Sequence, residues 1–353
     1  MFRNARNVRV FGGTFTSYFN VYSTNGSEMD RLMEVTSLGA LHNSGLRIDP
    51  PKCHPNTCTA VLQKLMDWFI GEVEWDIFVL WLYGPAGAGK SAISQTFAEH
   101  CFATNGLLAS FFFSESDPKR NNEKALVATL AYQIWLRIPQ SRPIIEGTIN
   151  NDPAIFQLNF ESQFRALLLD PLLQLSQAGL FTSSTTLPYL FIIDGLDECK
   201  GLDSQITILN TISDALHHHR STLPFKFLVS SRPENHLSIP FSSASSLNNL
   251  TFRLSLDETY QAYDDIKIYL TESFQDIRKT HAMRAHLPDS WPSEEDIAKL
   301  VKTSSGNFIY AAIVVRYVSS AWYNPRDRLT VIQGLLPVNN AWLYHLLHRR
   351  LKH

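Results

Sequence analysis

GPAGAGKS, residues 84–91, decides the fold. It fits the pattern G-x-x-x-x-G-K-[ST] without deviation, and its flanks fit as well. The short apolar run FVLWLY (78–83) enters it, and AISQTFAEHC (92–101) leaves it with helical character. Glycines at 84, 87 and 89 let the backbone wrap so that its amides point at phosphates. The helix that follows adds the positive end of its dipole. In such a loop Gly84, Pro85, Ala86, Gly87, Ala88, Gly89, Lys90 and Ser91 cradle the phosphates of a nucleotide. Lys90 reaches the β- and γ-phosphates, and the Ser91 hydroxyl binds Mg2+.

Two later apolar runs also end in chemistry. PYLFIIDGLDECKG (188–201) carries a strand to Asp194. The carboxyl ends of strands line the ligand crevice of an open α/β sheet. Asp194 therefore falls beside the phosphate loop, where a carboxylate holds Mg2+. Asp197 and Glu198 follow within a turn, and one of them can polarise the attacking water. FKFLVSSRPE (225–234) ends in Ser230, Ser231 and Arg232, making Arg232 a candidate γ-phosphate sensor. The catalytic candidates are thus Asp197, Glu198 and Arg232, and the metal candidates are Ser91 and Asp194.

Further runs at LLASFFF (107–113) and LTFRLSL (250–256) complete a set of five strand candidates within residues 75–256. Helical patterns lie between most of them, at Ser91–Cys101, Lys124–Arg137, Phe160–Leu175 and Gln205–His217. Alternation of this kind predicts an α/β fold: a parallel, doubly wound sheet of about five strands with right-handed crossovers. After Asp257 only helices are expected, at 258–280, 293–303, 307–322 and 326–336. Ser293 ahead of Glu294, Glu295 and Asp296 is a strong helix start. Residues 257–353 thus read as a small all-α domain. Ahead of the sheet, 31–74 reads as a linker with a lead-in helix, Thr59–Ile70. Residues 1–30 read as a β-prone or disordered segment, with a bend at Gly12-Gly13.

Composition narrows the function classes. Apolar residues are 44% of 353, enough for a large core. Lys plus Arg number 31 against 33 acids, without the basic surplus of a duplex-binding protein, so no nucleic-acid partner is expected. The longest apolar run, Phe308–Val315, is too short to span a bilayer. Four cysteines make no disulfide framework, and the N-terminus has no signal-peptide apolar core, so a reducing, cytoplasmic setting is expected. Cys53-His54 with Cys58 resembles half a zinc site without a second half. Cys199 is expected to pack, and His217-His218-His219 to top a helix.

GPAGAGKS, LFIIDGLDEC and FLVSSRPE, in this order, resemble a NACHT domain, a member of the STAND class of P-loop NTPases. ALHNSGLRIDPPKCHP, LVATLAYQ and SSGNFIYAAIVVRYV also resemble NACHT proteins of mushroom-forming fungi, some named after a nephrocystin-3-like N-terminal module. The resemblance covers roughly residues 30–340 and makes 75–256 a NACHT NTPase domain. It implies a switch in which ADP holds a closed monomer and exchange for ATP, with slow hydrolysis, leads to oligomerisation and recruitment of an effector. ATP, ADP and Mg2+ are the implied cofactors. The family's Gly-x-Pro would fall at Gly306-Asn307-Phe308, with Phe in place of Pro. The chain stops where a winged helix would start, so 257–353 is expected to be truncated before it. The rival expectation is a nucleotide-binding scaffold or remnant without meaningful turnover. A P-loop kinase would need clustered lid arginines, and a GTPase an N-K-x-D motif, and neither is present.

Overall fold

A computed structural model describes residues 27–47, 49–72, 76–181, 189–242, 245–256 and 262–334. The β-prone segment and the expected winged-helix boundary fall largely or wholly outside them.

All five expected strands form: β1 (Val79–Tyr83), β2 (Leu107–Phe112), β3 (Tyr189–Asp194), β4 (Phe225–Ser231) and β5 (Thr251–Ser255). They make one parallel sheet in the order β2-β3-β4-β1-β5. The chain crosses from β1 to the far edge at β2, steps back through β3 and β4, and passes β1 to reach β5. Right-handed crossovers running in opposite directions must lie on opposite faces of the sheet. Both faces are therefore covered, which is why the strands read as continuous apolar runs.

The helices around the sheet are α1 (Glu28–Val35), α2 (Thr59–Ile70), α3 (Lys90–Ala103), α4 (Leu126–Arg137), α5 (Arg142–Asn151), α6 (Phe160–Phe164), α7 (Asp170–Gln177), α8 (Leu202–His219) and α9 (Asn235–Ser238). Leu80, Leu82, Leu190, Ile192 and Leu228 pack with α2 and α3 on one face. Val79, Trp81, Phe191, Ile193, Phe227 and Val229 point the other way, toward the core of α1, α4 and α8. The single helix expected over 160–175 is instead α6, a wide π turn at Arg165–Leu169, and α7. Pro171 lacks an N–H and crowds the preceding turn, and the wider turn accommodates it.

The stretch expected as a linker is an ordered strap. From α1 it wraps the free edge of β2 and reaches α3 on the other face. Ser37 N–H donates to Thr129 Oγ1 at 2.9 Å, and His42 N–H to Ser110 Oγ at 3.1 Å. Gln133 completes the edge: its amide accepts from Ser110 N–H and donates to Ser110 O, both at 2.9 Å, as a neighbouring strand would. An open sheet edge is thereby blunted.

Beyond β5 the chain is helical: α10 (Ala262–Thr280), α11 (Glu294–Ser304), α12 (Phe308–Val318) and α13 (Pro325–Gly334). These close on their own core around Leu270, Phe274, Leu300, Val314 and Leu329. The Ser293 start is a full capping box with Asp296.

Candidate nucleotide site

The loop leaves β1 at Gly84 and enters α3 at Lys90. Gly87 and Gly89 take φ of +83° and +93°, which curls the chain around the loop mouth. Lys90 Nζ lies across that mouth and donates to the carbonyls of Gly84 and Pro85, 2.9 Å each. Burial lowers its pKa, an effect that the nearby Asp197 and Asp194 carboxylates partly oppose.

Asp194 is 2% exposed at the end of β3. The Ser230 hydroxyl donates to its Oδ1 and accepts Gly195 N–H at 3.0 Å. Ser230 is therefore the β4 residue that touches Asp194, while Arg232 lies just past the strand. Arg232 grips Asp197 instead: its N–H meets Oδ1 and its Nε meets Oδ2, both at 3.0 Å. With both oxygens engaged, the Asp197 carboxylate is poorly arranged to take a proton from water. Glu198 accepts one hydrogen bond, from Glu115 N–H at 3.0 Å to Oε2, and burial raises its pKa. A half-buried carboxylate of raised pKa with a free oxygen has the chemistry expected of a general base. Geometry thus separates two acids that the sequence leaves equivalent.

The donors fit Mg2+. Ser91 and Asp194 offer hard oxygens, and among the described residues no cluster of His, Cys, Asp and Glu could hold a metal without help. Mg2+ is ordinarily held by one or two carboxylates together with substrate phosphates, and Asp194 with the Ser91 hydroxyl offers oxygens of that kind.

Beside the loop lies a cavity of about 320 Å³. Gly84, Pro85 and Ala88 form its floor, Tyr83 and Leu256 its strand-end wall, and Cys58, Asp265 and Gly306-Asn307-Phe308 its far side. Its size, with mostly apolar walls and few polar groups, suits a nucleoside. The helical domain closes over the loop here: Ile309 N–H approaches Gly87 O at 3.4 Å. A Cβ on Gly87 would stand 2.5 Å from Ile309 Cγ2. The lead-in segment joins the same junction through Cys58 N–H to Asp265 Oδ2 (2.8 Å) and His54 Nε2 to Glu272 Oε2 (2.7 Å).

Lys90 of the loop thus lies within electrostatic reach of Asp194, Asp197 and Glu198. Sequence reasoning missed Arg47, which reaches the end of β2 from the strap, and Asp265, which lines the cavity from α10. Neither sits in a local motif. Cys53 and Cys58 pack against the α2–α3 core. Cys199 is buried and its thiol is pushed up to about 12, unlike a reactive cysteine.

Residues 56–232, from the lead-in segment through Arg232, match the family described as Nephrocystin 3, N-terminal. No curated protein sequence matches. Similar solved structures include the ORC2 protein of Aeropyrum pernix in ADPNP–ADP complexes (12% identity, 83% of this chain and 72% of that one, TM-score 0.46). Others are Drosophila ORC bound to DNA (10%, 92% and 70%, 0.44) and C. elegans PCH-2 (10%, 84% and 71%, 0.42).

Proposed function

We propose, from the premise that this chain belongs to the Nephrocystin 3, N-terminal family, that it is a nucleotide-operated switch of the NACHT type. It binds ATP and ADP with Mg2+, hydrolyses ATP slowly, and lets the bound nucleotide govern self-association and signalling. The observation that carries this reading is the seating of α12 on the phosphate loop, with one cavity shared between sheet and helical domain. A change at the phosphates is then passed directly to the helical region through Gly87 and Ile309.

In this mechanism Lys90 trades its two loop carbonyls for phosphate oxygens. Ser91 and Asp194 would hold Mg2+, which when bound neutralises phosphate charge. Glu198 takes a proton from the attacking water, and Asp197 aims the Arg232 guanidinium at the terminal phosphate. Engagement of Asp197 by Arg232 also suits a second reading, a nucleotide-binding scaffold without turnover.

Lys90→Ala tests the core of this. Binding of fluorescent ATP and ADP should fall about 100-fold, or ~2.7 kcal/mol, with the circular dichroism spectrum unchanged. Affinity within about twofold of wild type would remove the phosphate-loop assignment. Light scattering of wild type in ATP and in ADP should give different masses. Equal masses would remove the switch, and single-turnover hydrolysis would then decide whether the scaffold reading stands.

A further inference from the structure

The strap ends in a cation that none of these steps uses. Arg47 Nη1 donates to Gln95 Oε1 at 2.6 Å, and its guanidinium lies 4.0 Å from the centre of the Phe112 ring. Both anchors adjoin the site. Gln95 is fully buried on α3, one turn past Ser91, and its amide also bonds His42 O and Glu99 Oε1, each at 2.8 Å. Phe112 is the register partner of Asp194 across the β2–β3 ladder. Partners in a parallel ladder point to the same face, here the face that carries α3. Arg47 is thus pinned over the ladder partner of Asp194, on the sheet face that carries both Asp194 and α3. Among the charges acting on Arg47, Asp194 is the strongest. Burial lowers the guanidinium to about 10, so it remains a cation at neutral pH. The neighbouring Arg120 is already engaged by Asp117 Oδ2 (3.0 Å) and Phe112 O (3.4 Å).

We propose that Arg47 is a positioning residue for the metal end of the nucleotide site, supplying, alongside Lys90, counter-charge to Asp194 and competing with Mg2+ for it. This rests on the assignment of Asp194 and Ser91 to Mg2+ made above. Arg47 and Mg2+ would draw on the same single negative charge and repel one another, so each weakens the other's hold on Asp194. Arg47 therefore raises the Mg2+ concentration that the site needs. It also spares a nucleotide arriving without metal from the bare charge of Asp194. The strap becomes a charged partner of the metal site rather than a passive cover for β2.

The test reads binding on the full chain, not turnover. Fluorescent ADP is titrated from chelated conditions through rising Mg2+. Arg47→Gln should lower the Mg2+ midpoint about fivefold and weaken Mg2+-free binding by a similar factor, the scale of one partly screened charge. Arg47→Lys keeps the charge without the planar fork and should stay within about twofold of wild type in both. Phe112→Leu, which loosens the guanidinium without removing it, should move the midpoint the same way by less and serves if Arg47→Gln does not fold. In an Asp194→Asn background Arg47→Gln should leave the midpoint where Asp194→Asn alone puts it. Equal weakening with and without Mg2+, or a lysine variant as damaged as the glutamine one, would overturn the proposal in favour of packing. Wild-type binding that ignores Mg2+ would overturn the metal assignment itself. That outcome appears in the wild-type curve alone, so the two failures are distinguishable.

Discussion

The phosphate loop and the strap both end on α3, yet they are built in opposite ways. The loop is eight contiguous residues whose shape follows from its own glycines and the start of its own helix. The strap has almost no shape of its own and is held by distant partners: Ser37 by Thr129, His42 by Ser110, Arg47 by Gln95, and Cys53 by Thr96. A segment of the first kind can be altered at its chemistry with little effect on the fold. A segment of the second kind carries stability and coupling, and substitutions at its anchors should register in unfolding as well as in ligand affinity.

The sharpest test of the loop side uses the two acids after Asp194. Glu198→Gln should reduce single-turnover ATP hydrolysis by about 10²–10³ while leaving nucleotide affinity and unfolding unchanged. Asp197→Asn should lose about tenfold or less, because it loosens Arg232 rather than removing the base. Hydrolysis by wild type should fall as pH drops, since Glu198 takes up its proton at higher pH than an ordinary glutamate. A larger loss for Asp197→Asn would reverse the assignment.

The strap side is tested by His42, which is 6% exposed and whose Nε2 has no hydrogen-bond partner. Burial lowers its pKa from 6.5 to about 4. The folded chain therefore binds fewer protons than the unfolded one between those values. Stability that is full above pH 6.5 is lost as pH falls toward 4. At pH 5 the loss due to His42 should be about 1–2 kcal/mol. His42→Phe, which keeps the ring beside Phe102, should flatten that part of the profile in urea unfolding at pH 7 and pH 5. Identical pH profiles would mean that the strap is not buried in solution.

The smallest effect separates the loop from the domain seated on it. Gly89 has positive φ and open space where a Cβ would go, so Gly89→Ala should cost about 1 kcal/mol of backbone strain alone. Gly87→Ala adds the clash with Ile309, and Ile309→Ala should relieve only that excess. If Gly87→Ala and Gly89→Ala cost the same in every background, α12 does not rest on the loop.

Much of this protein is legible one segment at a time. The runs that became β1 to β5 stand out because a strand covered on both faces must be apolar along its whole length. GPAGAGKS and the acid closing YLFIID stand out because phosphate and metal chemistry need those residue types at strand ends. The Ser293 helix start and the all-helical stretch after β5 follow equally local rules. The sequence by itself thus determined the class of fold and marked out the candidate phosphate loop and the acids near it. Tertiary structure alone decided the order of the strands, the pairing of Asp197 with Arg232, the bond from Ser230 to Asp194, and the placing of Arg47 and Ile309 around the loop. The reason is physical. Periodicity and turn chemistry act between neighbours in the chain, whereas these contacts join residues far apart in sequence and are selected only when the whole core packs at once.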